Sequence, residues 1–107
     1  IFRGEETLIT NPDKQPVGQF DGAKPFTTHE IQLEANDWII LFSDGYADQF
    51  GGPKNKKYKY ATFREFIQVH KNKTGSELKQ DLKTEFESWK GNHEQTDDVC
   101  VMGIKLV

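Results

Sequence analysis

The chain has little cysteine and no long apolar segment. Its 107 residues contain a single cysteine, Cys100, so an internal disulfide cannot form and we expect a reducing, cytoplasmic setting. No run approaches the roughly 20 apolar residues of a membrane span, and no signal peptide is recognisable, so we expect no membrane contact by this segment. The sequence begins at Ile1 without a methionine, which suggests a piece of a longer protein.

Apolar residues make up only 35% of the chain, which is low for a self-contained core. Eight Phe, three Tyr and two Trp partly compensate, because each aromatic side chain buries a large area. The net charge of −3 gives no overall attraction for nucleic acid or for an anionic membrane. At this length we interpret residues 1–107 as a single unit, either one domain or part of one.

Four segments have the pattern of β-strands. Residues 1–10 indicate a short strand pair around Arg3-Gly4-Glu5, and Phe26–Leu33 alternates loosely as a strand does. Trp38–Phe42 is a run of five large apolar residues, which predicts a strand covered on both faces. Val99–Val107 is a similar closing strand, whereas residues 11–25 hold three of the four prolines and indicate a loop.

Two helices are predicted between these last two strands. Thr62 with Glu65, and Thr74 with Glu77, each have the spacing of a capping box at a helix start. The second helix has an apolar face and ends at Gly91; that face consists of Leu78, Leu82, Phe86 and Trp89. The sequence therefore predicts an α+β fold in which a two-helix hairpin packs on one side of a mainly antiparallel sheet.

Two acidic elbows stand at the ends of the strongest apolar runs. Ser43-Asp44-Gly45 follows Trp38–Phe42, and Asp97-Asp98 precedes the last run. If the two strands are antiparallel neighbours, carboxylates more than fifty positions apart meet at one edge of the sheet. Hard divalent cations bind where carboxylate oxygens converge. The competing interpretation is that both elbows are ordinary turns, since Asp-Gly is common in turns.

The motifs LFSDGYADQFGG and FESWKGNHEQTDDV, separated by two helices and followed by an apolar strand, resemble the SpoIIE-like branch of the PPM-type, metal-dependent serine/threonine phosphatases. Pro16-Val17-Gly18 matches a further element of that family. The resemblance covers the whole chain and implies the C-terminal part of such a domain. The expected fold is then part of an α/β-β/α sandwich.

The resemblance also implies roles for individual residues. Asp44 and Asp97 take the positions of metal ligands, and Asp98 takes a position that is Asp or Asn in relatives. We expect Asp98 and Gly45 to support the ligands rather than to bind metal. The implied cofactor is a pair of Mn²⁺ or Mg²⁺ ions that activate water to hydrolyse a phosphomonoester. No side chain of this chain is then assigned as a catalytic nucleophile.

The implied substrate is a phosphoserine or phosphothreonine of a regulatory protein in bacterial signalling, and relatives commonly carry upstream sensor domains. The family's bridging Asp has no counterpart before Asp44, because Asp13, Asp21 and Asp37 lie in loops or turns without its pattern. We therefore expect the isolated chain to be inactive. Half of a sandwich would expose a sheet edge and an apolar face, which predicts a homodimer or weak stability.

Two other functions stay open at this point. The chain could belong to a non-catalytic module that keeps the phosphatase shape and binds a partner protein. It could also be a small α+β interaction domain whose Asp elements are turns and lie far apart.

The sequence has three smaller features, namely Cys100, Asp48 and a basic loop. Cys100 is interpreted as a small core residue on the last strand, and Asp48 as a salt-linked or capping residue. A basic loop is interpreted mainly as solvated, with phosphoprotein or nucleic-acid contact as the alternative; it contains Lys54, Lys56, Lys57 and Lys59.

Overall fold

Antiparallel strands and a pair of helices make up the structure, a computed structural model that describes residues 1–107. The elements in chain order are β1 (Phe2–Arg3), β2 (Glu6–Thr7), β3 (Trp38–Phe42), β4 (Phe50–Gly51), β5 (Lys56–Lys57), α1 (Tyr60–His70), α2 (Gly75–Lys90) and β6 (Val101–Lys105). The predicted α+β class, with two helices and antiparallel pairing, is confirmed.

The main sheet has four strands in the order β2-β1-β3-β6, and every neighbouring pair is antiparallel. Strands β3 and β6 pair along their whole length, from Trp38 opposite Lys105 to Phe42 opposite Val101. The end of β3 therefore lies beside the beginning of β6, as the elbow hypothesis requires. The remaining strands, β4 and β5, form a separate two-stranded ribbon.

Two predicted strands need correction. The segment Phe26–Leu33 forms no strand, and the side chains of Phe26 and Ile31 are exposed. The edge of β3 that faces away from β6 pairs only at Trp38, with Phe2 of β1, and Phe26–Leu33 does not add a strand to the rest of it. The closing strand is also shorter than predicted and runs only over Val101–Lys105.

Both helices cover one face of the sheet. Trp38 and Ile40 point to that face and are buried, together with Phe63 and Ile67 from α1. The predicted apolar face of α2 is confirmed, since Leu78, Leu82 and Phe86 are buried in the same cluster and Trp89 packs against it. The Trp38 indole also donates a hydrogen bond of 2.7 Å to the carbonyl of Lys71, which fixes the turn between the helices on the sheet.

The opposite face of the sheet is open, so the prediction that Trp38–Phe42 is covered on both faces is wrong. Leu41 is 58% exposed, and its cross-strand neighbour Met102 is 53% exposed. Ile104 continues this apolar face at 48% exposure. The radius of gyration is 15.8 Å, whereas a compact domain of this length has about 13 Å. The structure therefore has one covered sheet face and one uncovered face.

Of the two predicted capping boxes, the structure has the one at the start of α2 and lacks the one at the start of α1. At α2 the Thr74 hydroxyl accepts from the Glu77 amide and the Glu77 carboxylate accepts from the Thr74 amide, so this capping box is confirmed, as is the end at Gly91. The box predicted at Thr62 is wrong, because α1 already begins at Tyr60 after Lys59 turns the chain with a φ of 80°. Neither helix is long and apolar enough to cross a membrane.

A buried ion pair fixes the start of β3. The Arg3 guanidinium donates to both carboxylate oxygens of Asp37, at 3.0 and 2.7 Å, and the amide of Glu34 adds a bond of 2.9 Å. Asp37 has no exposed surface. Because these donors favour the charged form, first of all Arg3, the pKa of Asp37 falls from 3.8 to about 2. The pair joins the N-terminal hairpin to the central strand.

The lowered pKa predicts a pH dependence of folding. A carboxyl whose pKa is depressed in the folded state stabilises it above the ordinary pKa, and this stabilisation is lost as the pH falls from 3.8 through about 2. We expect the melting temperature to drop across that window. Asp37→Asn should be less stable than the wild type at pH 7 and should lose part of the acid-dependent drop.

Thermal denaturation followed by circular dichroism, from pH 7 to pH 2, measures both effects. Glu34→Gln is the matched control, because it removes an exposed partner of the same Arg3 side chain at 3.2 Å. Equal melting temperatures of Asp37→Asn and the wild type at pH 7 would contradict the prediction.

Candidate metal centre

The two acidic elbows meet in the structure, and Ser43 joins them. Its amide donates to the carbonyl of Cys100 at 2.9 Å, which extends the β3–β6 pairing by one step. Its hydroxyl accepts from the Cys100 amide at 3.0 Å and donates to the carbonyl of Asp98 at 3.3 Å. One small hydroxyl side chain therefore fixes the position of the first elbow against the second.

Gly45 allows the close approach of the elbows. A Cβ atom at this position would overlap the carbonyl oxygen of Asp98 and come within 3.3 Å of the Val99 side chain. Any larger residue would therefore separate the two segments. The structure brings together the first elbow at Gly45 and the second at Asp98, in agreement with the sequence-based hypothesis that they are neighbours.

The carboxylates of both elbows are accessible. Asp44 is exposed and its carboxylate makes no hydrogen bond within the chain, while its carbonyl accepts from the Asp48 amide at 2.9 Å to close a tight turn. In Asp97 one carboxylate oxygen accepts from the Asp98 amide at 2.8 Å. The second elbow lines an open polar depression of about 270 Å³ formed by Gln95, Thr96, Asp97 and Asp98.

The elbows offer the type of ligand that a hard divalent cation prefers. They offer too few such ligands to complete its coordination shell. Asp44 and Asp97 offer carboxylate oxygens, the ligands that Mg²⁺ and Mn²⁺ prefer. No group of three or more His, Cys, Asp or Glu side chains that could hold a metal ion comes together in the chain. The elbows thus contribute part of an octahedral shell, and the assignment of Asp44 and Asp97 as ligands stays a prediction.

A second link between the two elbow loops runs through Gln49, which has no exposed surface. Its side-chain amide donates to the carbonyl of Glu94 at 2.8 Å, three positions before Asp97. The main-chain carbonyl of Gln49 accepts from the Trp89 indole at 2.9 Å. The segment after Asp44 is therefore tied to the segment before Asp97.

Sequence reasoning missed the roles of Ser43 and Gln49. Ser43 carries a detectable signal, because a small hydroxyl residue directly after an apolar strand is suited to a side-chain bond across the strand ends. Gln49 carries none, since nothing in a polar loop marks one amide as buried. Cys100 was interpreted as a core residue, and this is wrong: it is exposed. It lies directly before β6, two positions ahead of the exposed Met102.

Tyrosines near the first elbow keep their protons. Burial raises the pKa of Tyr46, whose hydroxyl donates to the carbonyl of Leu82 at 2.7 Å. Burial also raises the pKa of Tyr58, with the charge of Glu85 as the next cause. For Tyr60, burial acts first, and the negative charges of Asp48 and Asp44 raise the pKa further. These phenols are structural hydrogen-bond donors or neutral neighbours of the elbow.

A second cavity lies elsewhere and has a different character. A groove of about 410 Å³ runs between α2 and the covered sheet face, and its lining includes Trp38, Ile40, Leu82, Phe86 and Val101. No carboxylate lines it. The metal hypothesis therefore concerns the strand-end elbows and not this groove.

Comparisons with known proteins identify the family and the fold of the chain. The family model described as Stage II sporulation protein E (SpoIIE) matches residues 1–107. No curated protein matches the chain. Among solved structures, the chain resembles the SiaA-PP2C domain of Pseudomonas aeruginosa with a TM-score of 0.75 and 22% sequence identity, over 80% of this chain and 35% of that chain.

The solved structure confirms the fold, and this chain spans only about a third of its length. The family model covers the chain from its first residue to its last. The resemblance to a SpoIIE-like, PPM-type phosphatase is thus confirmed, and the chain belongs to the SpoIIE family.

Proposed function

We propose that this chain forms part of a metal-dependent protein serine/threonine phosphatase and supplies one side of its metal centre. The observation that carries the proposal is the contact between the two elbows, in which Ser43 binds both Asp98 and Cys100. Membership of a phosphatase family supports it. The substrate would be a phosphoserine or phosphothreonine in a regulatory protein of a bacterial signalling pathway.

Each elbow residue has a defined task in this proposal. Asp44 and Asp97 hold Mn²⁺ or Mg²⁺ through their exposed carboxylates. Asp98 orients Asp97 through its amide, which donates to the Asp97 carboxylate at 2.8 Å. Gly45 keeps the space that the elbow contact requires. When bound, the metal ions lower the pKa of a water molecule and neutralise charge on the phosphoryl group.

The remaining ligands would come from other parts of the full-length protein, because this chain gathers fewer than three candidate ligands at one place. The same observation keeps the non-catalytic module as the second candidate. In that case the elbows would have only a structural role, and the full-length protein would bind a partner without hydrolysing phosphate esters.

The deciding experiment measures manganese-dependent hydrolysis of p-nitrophenyl phosphate by the full-length protein. We expect Asp44→Asn and Asp97→Asn each to reduce kcat by about 100-fold or more, since each removes a charged ligand. Asp21→Asn, in an exposed loop, is the control for loss of one negative charge. No turnover by the wild type would favour the non-catalytic module, and full activity of both ligand variants would reject the assigned roles.

The isolated chain gives a complementary prediction. We expect the 107 residues alone to show no manganese-dependent turnover, because they supply only two of the predicted ligands. The comparison is with the same chain carrying Asp44→Asn. Activity of the wild-type chain above that variant would show that no further ligands are needed.

Gly45→Ala tests the elbow contact itself. The added methyl would overlap the Asp98 carbonyl, so we expect the elbows to separate and the apparent affinity for Mn²⁺ in the full-length protein to fall by about 10-fold or more. The control is Gly75→Ala at the start of α2, where the nearest atom to an added Cβ is 3.9 Å away. Unchanged metal activation by Gly45→Ala would contradict the proposed geometry.

We further propose that the uncovered sheet face makes the isolated chain self-associate. Leu41 and Met102 lie opposite each other and are more than half exposed, an arrangement that favours apolar contact with a second copy. We expect light scattering at low micromolar concentration to give a dimer or larger species, and Leu41→Lys to shift it to a monomer.

Val69→Lys is the matched control, because Val69 is 70% exposed on α1 and lies outside the sheet face. A monodisperse wild-type monomer would be inconsistent with self-association.

A further inference from the structure

The β4–β5 hairpin and the residues that follow it, residues 50–59, form a basic surface that we call the lysine ribbon. It contains four lysines and no acidic residue, within a chain whose net charge is −3. The strands pair with Phe50 opposite Lys57 and Gly51 opposite Lys56. Gly52 and Asn55, both with positive φ, form the turn between them.

The lysine ribbon is fixed to α2 by Trp89. The Gly52 amide donates to the Trp89 carbonyl at 3.0 Å, and the indole ring packs so closely that a Cβ at Gly52 would approach it within 2.7 Å. A Cβ at Gly51 would overlap the Trp89 carbonyl oxygen. The ribbon is therefore a fixed element and presents its charges from a defined position.

Most of these charges are free to interact with a partner. The side chains of Lys54, Lys56 and Lys59 are exposed and make no ion pair. Lys57 lies 3.6 Å from Asp48, but the two side chains are 51% and 37% exposed, so solvent screens the pair and it is weak. The backbone of the lysine ribbon is held by main-chain hydrogen bonds, so its lysines extend from a fixed position rather than from a freely moving loop.

The lysine ribbon lies next to the first elbow. Asp48, which faces Lys57, donates its amide to the Asp44 carbonyl at 2.9 Å. Tyr60 follows the ribbon and packs against Phe42, with 5.8 Å between ring centroids and the ring planes tilted by 48°. Both rings are partly exposed, so aromatic surface adjoins the elbow on the ribbon side.

We propose that the lysine ribbon binds acidic residues flanking the phosphorylated residue of a protein substrate. This inference rests on the proposed phosphatase function and specifies its substrate class. Fixed cations beside a phosphate-binding site attract an acidic segment and set its direction across the site. An acidic peptide is favoured over nucleic acid because a few carboxylates can be confined to the four lysines, whereas a long phosphate backbone would extend beyond them over a chain whose net charge is −3.

The test compares two phosphopeptides that share one phosphoserine and differ only in their flanks, acidic in one and Asn/Gln in the other. Each is assayed with the full-length phosphatase and with the double variant Lys54→Glu/Lys56→Glu. We expect the variant to lower kcat/KM for the acidic peptide by about tenfold, mainly through KM. Turnover of the neutral peptide and of p-nitrophenyl phosphate should change little.

The control variant, Lys79→Glu/Lys83→Glu, makes the same charge change on exposed positions of α2 that have no ion pair. Equal losses in the two double variants, or an unchanged KM in the ribbon variant, would overturn the inference. Fluorescence anisotropy with the labelled acidic peptide at two salt concentrations tests binding without catalysis.

The binding arm separates this inference from the proposed function. If the wild type hydrolyses nothing but binds the acidic peptide through the ribbon, the phosphatase function fails and the acidic docking surface stands. If a single-stranded oligonucleotide binds more tightly than the acidic peptide, the ribbon belongs to nucleic-acid binding and the inference is wrong.

Discussion

The antiparallel pairing of β3 with β6 is the constraint on which the candidate site depends. Its register places Phe42 opposite Val101, so that Ser43 reaches Cys100 and Gly45 reaches Asp98. A slip by one residue would turn Trp38 and Ile40 from the helix-covered face to the open face. Burial of each such side chain stabilises the fold by about 1.5–3 kcal/mol, so the core enforces the same register that joins the elbows.

The β3–β6 register therefore determines both the buried core and the candidate site. Both helices bury one face of the sheet, and the Trp38 indole bonds the turn between them. The other face keeps Leu41 and Met102 in solvent. The family fold explains this asymmetry, since the chain covers only 35% of the matched solved domain. An uncovered face that would destabilise a complete domain is expected for one layer of a sandwich.

The features that could be predicted from the sequence are those set by neighbouring residues or by a regular apolar spacing. The apolar spacing from Leu78 to Phe86 and the capping box at Thr74 determine α2 without help from distant residues. The elbows were also predictable, because strand ends are marked by abrupt changes from apolar to acidic residues. By contrast, Phe26–Leu33 has a strand-like pattern, yet it pairs with no strand of the sheet. An alternating pattern alone cannot show whether a segment finds a partner strand.

Two links of the candidate site, at Ser43 and at Gln49, escaped prediction, and only the one at Gln49 lacks any signal in the sequence. Gln49 acts through Glu94 and Trp89, contacts that span forty or more positions and follow from packing alone. A charged elbow also needs such links more than a neutral turn does. Carboxylates that converge without a cation repel each other, so flexible loops would move them apart. The hydrogen bonds of the Ser43 hydroxyl to Cys100 and Asp98, and of the Gln49 side chain to Glu94, oppose that separation and hold the two loops together, while the Asp44 and Asp97 side chains stay exposed.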